Sequence, residues 1–242
     1  MKIQKPLTVS APGGAETVLL HTCCAPCSSA IIECLMRSGI RPTIYYCNPN
    51  IYPVEEYLIR KDECTRYASA LGLDIVDADY DHSDWLQWVR AEAAADGCGA
   101  IETERERGGR CLECFKYRLL KSAEYALEHG FSLLTTTLAS SRWKSLEQID
   151  KAGKWAVERA LASLDQSGAD FKAEPGSLSE ARLVWWEQNW RKGGLQERRG
   201  EIIREYGFYN QTWCGCEFSQ TSPSSCRPVL DGADRQSNFS QT

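Results

Sequence analysis

The sequence predicts an α/β protein: a single domain on a mostly parallel, Rossmann-like (nucleotide-hydrolase-like) sheet flanked by helices. Two observations predict it. Short β-branched and aromatic runs alternate with helix-length amphipathic stretches, and glycines stand where three of those helices should stop. Such alternation implies right-handed crossovers between parallel strands, with helices covering both faces of the sheet.

In chain order, "TVLLH" (17–21) reads as the first strand and is followed by a helix over about 26–37. Strand "TIYYC" (43–47) and a helix at 55–71 come next, then strand "LDIVDA" (73–78) and a helix at 83–95. In the helix at 112–129, Leu112, Phe115, Leu119, Leu120, Ala123 and Leu127 recur on one face. Strand "FSLLTTT" (131–137), a helix at 145–163 and strand "RLVWW" (182–186) complete the pattern. Gly39, Gly72 and Gly130 follow three helices, where a left-handed C-cap is wanted. Residues 1–16 read as a flexible N-terminus and 17–216 as the catalytic domain, with a polar linker or surface excursion at 164–178. The stretch 217–242, rich in Ser, Gln and Asp, is expected to be a disordered tail.

A strand order of 3-2-1-4-5 places the reversal between the first and fourth strands. Ligands in such sheets bind there, beyond the carboxyl ends of the strands. The first strand empties into "TCCAPC" and the fourth into "TTTLASSRWK".

The 242 residues are 43% hydrophobic and 25% charged, the composition of a soluble globular protein. The apolar runs are too short to cross a bilayer, and "MKIQKPLTVSAPGGAE" lacks a signal peptide's apolar stretch. These features predict a cytoplasmic protein with no membrane partner. In that reducing setting, twelve cysteines point to metal binding or catalysis instead of a disulfide framework. The net charge of −5 argues against a generally basic surface for nucleic acid. Residues 100–160 nevertheless carry more basic than acidic side chains, so a local RNA-binding face is compatible with the charge.

Three cysteine clusters carry the chemistry. Cys23, Cys24 and Cys27 lie between a strand and a helix, where "CAPC" reads as a thioredoxin-type dithiol. That reading leaves Cys23 and the other clusters without a role. Cys111 and Cys114, three apart at a helix start, place both sulfurs on one side, where the helix dipole favours thiolate. Cys214 and Cys216 in "WCGC" can close a small redox-active ring or supply two more metal ligands.

Four thiolates from two loops hold either zinc or an iron–sulfur cluster. Adjacent Cys23 and Cys24 make no zinc knuckle, although Cys24 with Cys27 does. A cubane accepts adjacent cysteines because they can point at different irons, which favours the cluster and leaves zinc open. The rival functions are a zinc-stabilised RNA-binding module and a thioredoxin-like thiol oxidoreductase. A nucleotide-activating enzyme would need a Gly/Ser-rich phosphate loop where this chain has Cys-Cys-Ala-Pro-Cys. Cys34, Cys64 and Cys226 read as core or incidental thiols, Cys47 as buried, and Cys98 has no evident partner.

"LLHTCCAPCS", "YCNPNIYPVEEYLIRK", "RCLECFKYRL", "TTTLASSRWK" and "FYNQTWCGCEFS" occur in this order from about Val18 to Ser219. Together they resemble the QueH family, the cobalamin-independent epoxyqueuosine reductases. The resemblance implies an α/β iron–sulfur enzyme of the last step of queuosine synthesis. Its substrate is implied to be tRNA carrying epoxyqueuosine at the wobble position. It further implies a 4Fe-4S cluster held by Cys23, Cys24, Cys111 and Cys114, and a redox-active disulfide between Cys214 and Cys216. Cys27 would then lie beside the cluster without ligating it. An electron donor is required, and its identity is not legible. The stretch at 160–180 and the tail after Ser219 are longer than in compact members.

Reducing an epoxide to an alkene takes two electrons and releases the oxygen as water, so that oxygen needs a proton or a Lewis acid. An additional iron ion is one candidate for the Lewis acid. Asp79, Asp81 and His82 are candidate acids beside the plainer reading of a solvated turn, and His21 reads as a packed strand-end histidine. Asn48 and Asn50 read either as turn formers or as contacts to a flipped-out base. Arg142, Lys144, Arg191 and Lys192, beside Trp143 and Trp190, are candidate RNA contacts.

Overall fold

The computed structural model describes residues 7–97, 100–167 and 182–221. Strands β1 (Thr17–His21), β2 (Arg41–Tyr46), β3 (Ile75–Asp77), β4 (Leu133–Thr136) and β5 (Val184–Trp185) form one sheet. Its order is β3-β2-β1-β4-β5 and every pair is parallel, as the alternating pattern predicts. β1 is the middle strand, with Leu20 opposite Ile44 on one side and Leu19 opposite Leu134 on the other. Among the described residues the helices are α1 (Ala25–Arg37), α2 (Val54–Ala70), α3 (His82–Ala95) and α4 (Gly109–Glu128). They continue as α5 (Leu146–Ser167), α6 (Leu195–Tyr206) and α7 (Glu217–Thr221). None is long and apolar enough to cross a membrane.

Period-two alternation along β1 and β2 divides the core between the two faces of the sheet. Val18, Leu20, Ile44 and Tyr46 pack with side chains of α1, α2 and α6. Leu19, Tyr45 and Leu134 pack with α4 and α5. A third cluster joins Trp85 and Val89 of α3 to Tyr117 of α4 and Phe218 of α7. The helices stop where the glycines predict: Gly39, Gly72 and Gly130 have φ of 76°, 65° and 74°. At each, the next N–H reaches back to a last-turn carbonyl, as in Ile40 to Leu35 at 3.0 Å.

Several segments differ from the sequence reading. α6 was not legible, because "LQERRGEIIREY" buries only Leu195 and Ile202. A two-pronged ion pair holds it to α1: Arg198 donates to Glu33 through Nε at 2.8 Å and Nη2 at 2.6 Å. α5 runs to Ser167, into the stretch read as a linker, and 168–178 lie outside the described residues. α7 occupies the first residues of the expected tail, and 222–242, with Cys226, lie outside. From Leu7 the N-terminal arm lies against the core, with Val9 N–H donating to Ser38 Oγ at 3.0 Å.

A buried polar network locks the carboxyl end of β1 to its neighbours. His21 Nε2–H donates to Cys47 O at 3.1 Å, and its Nδ1 accepts from the Thr136 hydroxyl at 2.7 Å. Arg118 of α4 donates to the same carbonyl at 3.1 Å and to Asn48 Oδ1. Asn48 Nδ2 donates to Thr22 O at 2.8 Å. Burial, helped by the Arg118 charge, lowers the His21 pKa to about 3 and keeps the ring neutral. It is the packed histidine that the sequence suggested.

At the β5 edge, Asp150 of α5 accepts from Trp185 Nε1 at 3.3 Å. Burial and the Glu187 charge raise its pKa from 3.8 to about 6. The fold therefore disfavours the ionised form, and that penalty grows as pH rises from 3.8 through about 6. Asp150→Asn is expected to stabilise the protein at pH 8 by about 1 kcal/mol, after allowance for partial solvent screening. Urea denaturation at several pH values should show this gap closing by pH 4.

Candidate active site

The segments that follow β1 and β4 open onto a cavity of about 380 Å³, at the end of the sheet where the strand order reverses. That volume lies within the roughly 300–1,000 Å³ of small-molecule sites. Cys23, Cys24, Cys27, Cys111, Cys114, Cys214 and Cys216 all line it. Three clusters spread over nearly two hundred positions thus share one space.

The first cluster is delivered by the turn from β1 into α1. Cys24 is the N-cap residue, and Pro26 sits in the first turn, where its missing N–H leaves no bond unmade. Cys23 is tied to the strand-end segment of β4. Its N–H donates to Thr137 Oγ1 at 3.2 Å, and the Thr137 hydroxyl lies 3.5 Å from its sulfur. The sulfurs of Cys23, Cys24 and Cys27 lie within 4.8 Å of one another. Hydrogen bonds from Cys24 and then Cys27 hold the Cys23 pKa well below the usual thiol value, making it the thiolate of the trio. Burial pushes Cys24 up, and the bond to Cys23 raises Cys27 to about 11.

The second cluster is set by the start of α4. Glu104 accepts from the first two helical N–H groups, Gly109 at 2.7 Å and Arg110 at 2.5 Å. Arg107, in the left-handed region at φ 71°, donates its N–H to Cys111 Sγ at 3.3 Å. Its guanidinium donates to Trp143 O at 2.8 Å and Arg142 O at 2.9 Å, joining this loop to the one after β4. Burial raises Cys111 to about 12 and also raises Cys114.

The third cluster hangs on α2. Ile51 forms an antiparallel bridge with Cys216, and Tyr52 N–H donates to Gly215 O at 2.9 Å. Arg60 donates to Cys214 O at 3.2 Å and Trp213 O at 3.4 Å, and Glu56 holds its Nε at 2.7 Å. Both cysteines are free thiols in this structure. A hydrogen bond from Cys216 holds Cys214 well below the usual thiol pKa, and the same bond, followed by burial, raises Cys216.

The lining also holds Arg60, Arg107, Arg110, Arg118, Arg142, Lys144 and Arg199 against one carboxylate, Glu106. A sulfur-only donor set suits soft metals, and this excess of cations stabilises anionic thiolates. The residues present therefore fit a thiolate-bound metal centre, with Cys23, Cys24 and Cys27 already grouped and Cys111 and Cys114 lining the same cavity. Cys27, which the sequence groups with Cys23 and Cys24, completes a compact trio with them, and sequence reasoning passed over Glu106, one acid in a charged loop without a recognisable motif.

Other candidates fall elsewhere. Asp81 caps α3 through Asp84 N–H at 2.8 Å, Asp79 is exposed, and His82 is bound to Pro49 O at 2.7 Å. None of the three lines the cavity. Asn48 is committed to the buried network. Asn50 lines the cavity with its Oδ1 unpartnered. Trp190 is packed in the core, 1% exposed, so it offers no stacking face. Arg191 donates to Ser141 O at 2.5 Å and Lys144 O at 2.7 Å, so it clamps the loop after β4 instead of standing free for phosphate. Trp143 and Arg142 are exposed at the cavity, and Lys192 is exposed without lining it. Cys34, Cys47 and Cys64 are buried, as expected, and Cys98 lies outside the described residues.

Gly215 has φ of 96°, and a Cβ there would stand 2.8 Å from Ile51 Cγ1 and 3.1 Å from Arg60 Nη1. Gly215→Ala is expected to destabilise the fold by about 1–3 kcal/mol. The measurement is a lower urea midpoint at unchanged slope.

Comparison with known proteins agrees with this geometry. A family model described as "Epoxyqueuosine reductase QueH" matches residues 18–179 and 160–222. A protein of that name from Haemophilus influenzae is 41% identical over 208 residues, covering 86% of this chain and 73% of its own. Its Histophilus somni namesake is 42% identical over 208 residues, covering 86% of this chain and 74% of its own. The Acinetobacter baylyi namesake is 37% identical over 224 residues, covering 93% and 89%. With the family model spanning all three cysteine clusters, the chain belongs to the QueH family, the epoxyqueuosine reductases.

Proposed function

We propose that this chain reduces the epoxide of epoxyqueuosine in tRNA to the alkene of queuosine. In this reading Cys23, Cys24, Cys111 and Cys114 hold a 4Fe-4S cluster, and Cys214 with Cys216 form the redox-active pair. The supporting observation is the convergence of seven thiols on one cation-lined cavity. When bound, such a cluster supplies single electrons at a potential tuned by burial and nearby charge.

The chain's own residues account for the remaining requirements. Converting the epoxide to an alkene consumes two electrons and two protons and releases one water. Oxidising one thiolate and one thiol to a disulfide yields two electrons and one proton, so Cys214 and Cys216 match the electron count and a further group supplies the second proton. Cys214, the thiolate, is the nucleophilic partner, and Cys216 retains its proton. Arg60 and the Ile51 bridge hold the pair at the cavity wall. The unpartnered Asn50 Oδ1 accepts a hydrogen bond from an N–H or O–H of the inserted base. Trp143 offers a stacking face, and Arg142 and Lys192 contact phosphate. The electron donor is a separate partner, and the reducing cytoplasm is the compartment that keeps these thiols available.

The close Cys23, Cys24 and Cys27 trio also suits a single tetrahedral ion, which favours the zinc-module reading as the alternative. Anaerobic purification with iron, sulfide and zinc analysis separates the two. Iron and sulfide are expected together, and zinc alone would overturn the reductase reading.

Cys214→Ser and Cys216→Ser are each expected to keep the iron and sulfide content and to lose turnover by on the order of 1,000-fold. Wild-type turnover in either variant would remove the pair from the mechanism. Binding to tRNA is expected to weaken as salt rises, and Arg142→Ala should reduce the slope of log affinity against log salt by about 1. Titrations at several ionic strengths check this, and a flat salt response counts against the face.

A further inference from the structure

Resting on the reductase reading, we propose that Glu106 is the catalytic acid that delivers protons to the departing epoxide oxygen. It is the single carboxylate among the described residues lining the cavity, and no histidine lines it. The three histidines of the chain are accounted for elsewhere. His21 is locked behind the wall, His82 is bonded to Pro49 and Glu217, and His129 stacks on Tyr125. The lining arginines do not release protons. Burial opposes the charge of Lys144, yet the Cys214 and Cys23 thiolates outweigh burial and raise its pKa, so it holds its proton. Serine hydroxyls are weaker acids still.

The loop is built to aim this residue. Two positions earlier, Glu104 is anchored on the start of α4, and one position later Arg107 is anchored on the loop after β4. Glu106, between two fixed neighbours, lines the cavity together with Cys214. Burial and the Cys214 charge raise its pKa from 4.5, while Lys144 and Arg110 oppose that rise. A carboxyl raised in this way holds its proton closer to neutral pH than a solvated glutamate does.

The proton and electron count closes. The Cys214 thiolate forms a C–S bond as the first C–O bond breaks and Glu106 protonates the oxygen, leaving a hydroxyl. Glu106 is reprotonated by a proton released from the Cys216 thiol. The second C–O bond breaks with transfer of that proton, releasing water. In that same step Cys216 Sγ attacks Cys214 Sγ to form the disulfide, and the electron pair of the broken C–S bond becomes the alkene.

The test is a single-turnover pH profile of reduced, cluster-loaded enzyme with epoxyqueuosine-containing tRNA. Wild type, Glu106→Gln and Glu106→Asp are compared, with iron, sulfide and free-thiol content measured on each. Glu106→Gln is expected to react roughly 100- to 10,000-fold more slowly and to lose the alkaline limb of the profile. Glu106→Asp should keep that limb at a displaced pH, with cofactor and thiol content unchanged. A Glu106→Gln rate within about threefold of wild type, with the limb intact, overturns the proposal. If Glu106→Gln fails to load its cluster, the Glu106→Asp profile decides: a displaced limb supports the assignment and an unmoved one overturns it. Wild-type enzyme that forms no queuosine overturns the reductase reading itself, whereas active wild type with an indifferent variant overturns Glu106 alone.

Discussion

Parallel pairing of β1 with β4 at the middle of the sheet is the constraint on which the site depends. Neighbouring strands lie under 5 Å apart, so the segments leaving their carboxyl ends must emerge side by side. Leu19 opposite Leu134 and His21 opposite Thr136 set that register, and the residues just beyond, Cys23 and Thr137, then touch. The core makes a slip costly, because shifting β1 by one residue would exchange Leu19 with Val18 and Leu20 between the two packed faces. Register, packing and site geometry are therefore one specification.

Arginine does most of the assembly around the cavity. Arg60 reaches from α2 to the carbonyls of 213 and 214, Arg191 clamps the loop at 141–144, and Arg107 joins that loop to the start of α4. Each satisfies carbonyls that an irregular backbone would leave unpaired, and a planar fork with several donors is suited to that task. The same positive charges lower the free energy of thiolates in a confined space. Structural pinning and electrostatic preparation are thus carried by the same side chains. A lone carboxylate in such surroundings stands out chemically, and this is what draws attention to Glu106.

The α4 network extends this logic behind the site. Arg118 and His21 converge on the Cys47 carbonyl, and Asn48 bridges Arg118 to Thr22. Each polar group there has a partner, so the wall that carries Cys23 and Cys24 is rigid without being apolar. Asn50, two residues on, keeps a free acceptor facing the cavity. The same short turn supplies both scaffold and contact.

Whereas the strand order it assumed is set by the tertiary structure, the sequence by itself determined the α/β class, the helix-ending glycines and the three cysteine clusters. These are local signals: alternating periodicity, a positive-φ requirement and close thiol spacing each act within a few residues. It missed α6, whose hold on the core comes from two apolar residues and a distant ion pair to Glu33. It also left Asn48 and Asn50 equivalent, offered Trp190 and Arg191 as RNA contacts, and placed candidate acids at 79–82. Tertiary structure decided those cases, because burial and, for Asn48 and α6, partners 26 and 165 positions away settle what each side chain is free to do. Glu106 belongs to the same class: nothing adjacent in the chain distinguishes it, and its role follows from the space it faces.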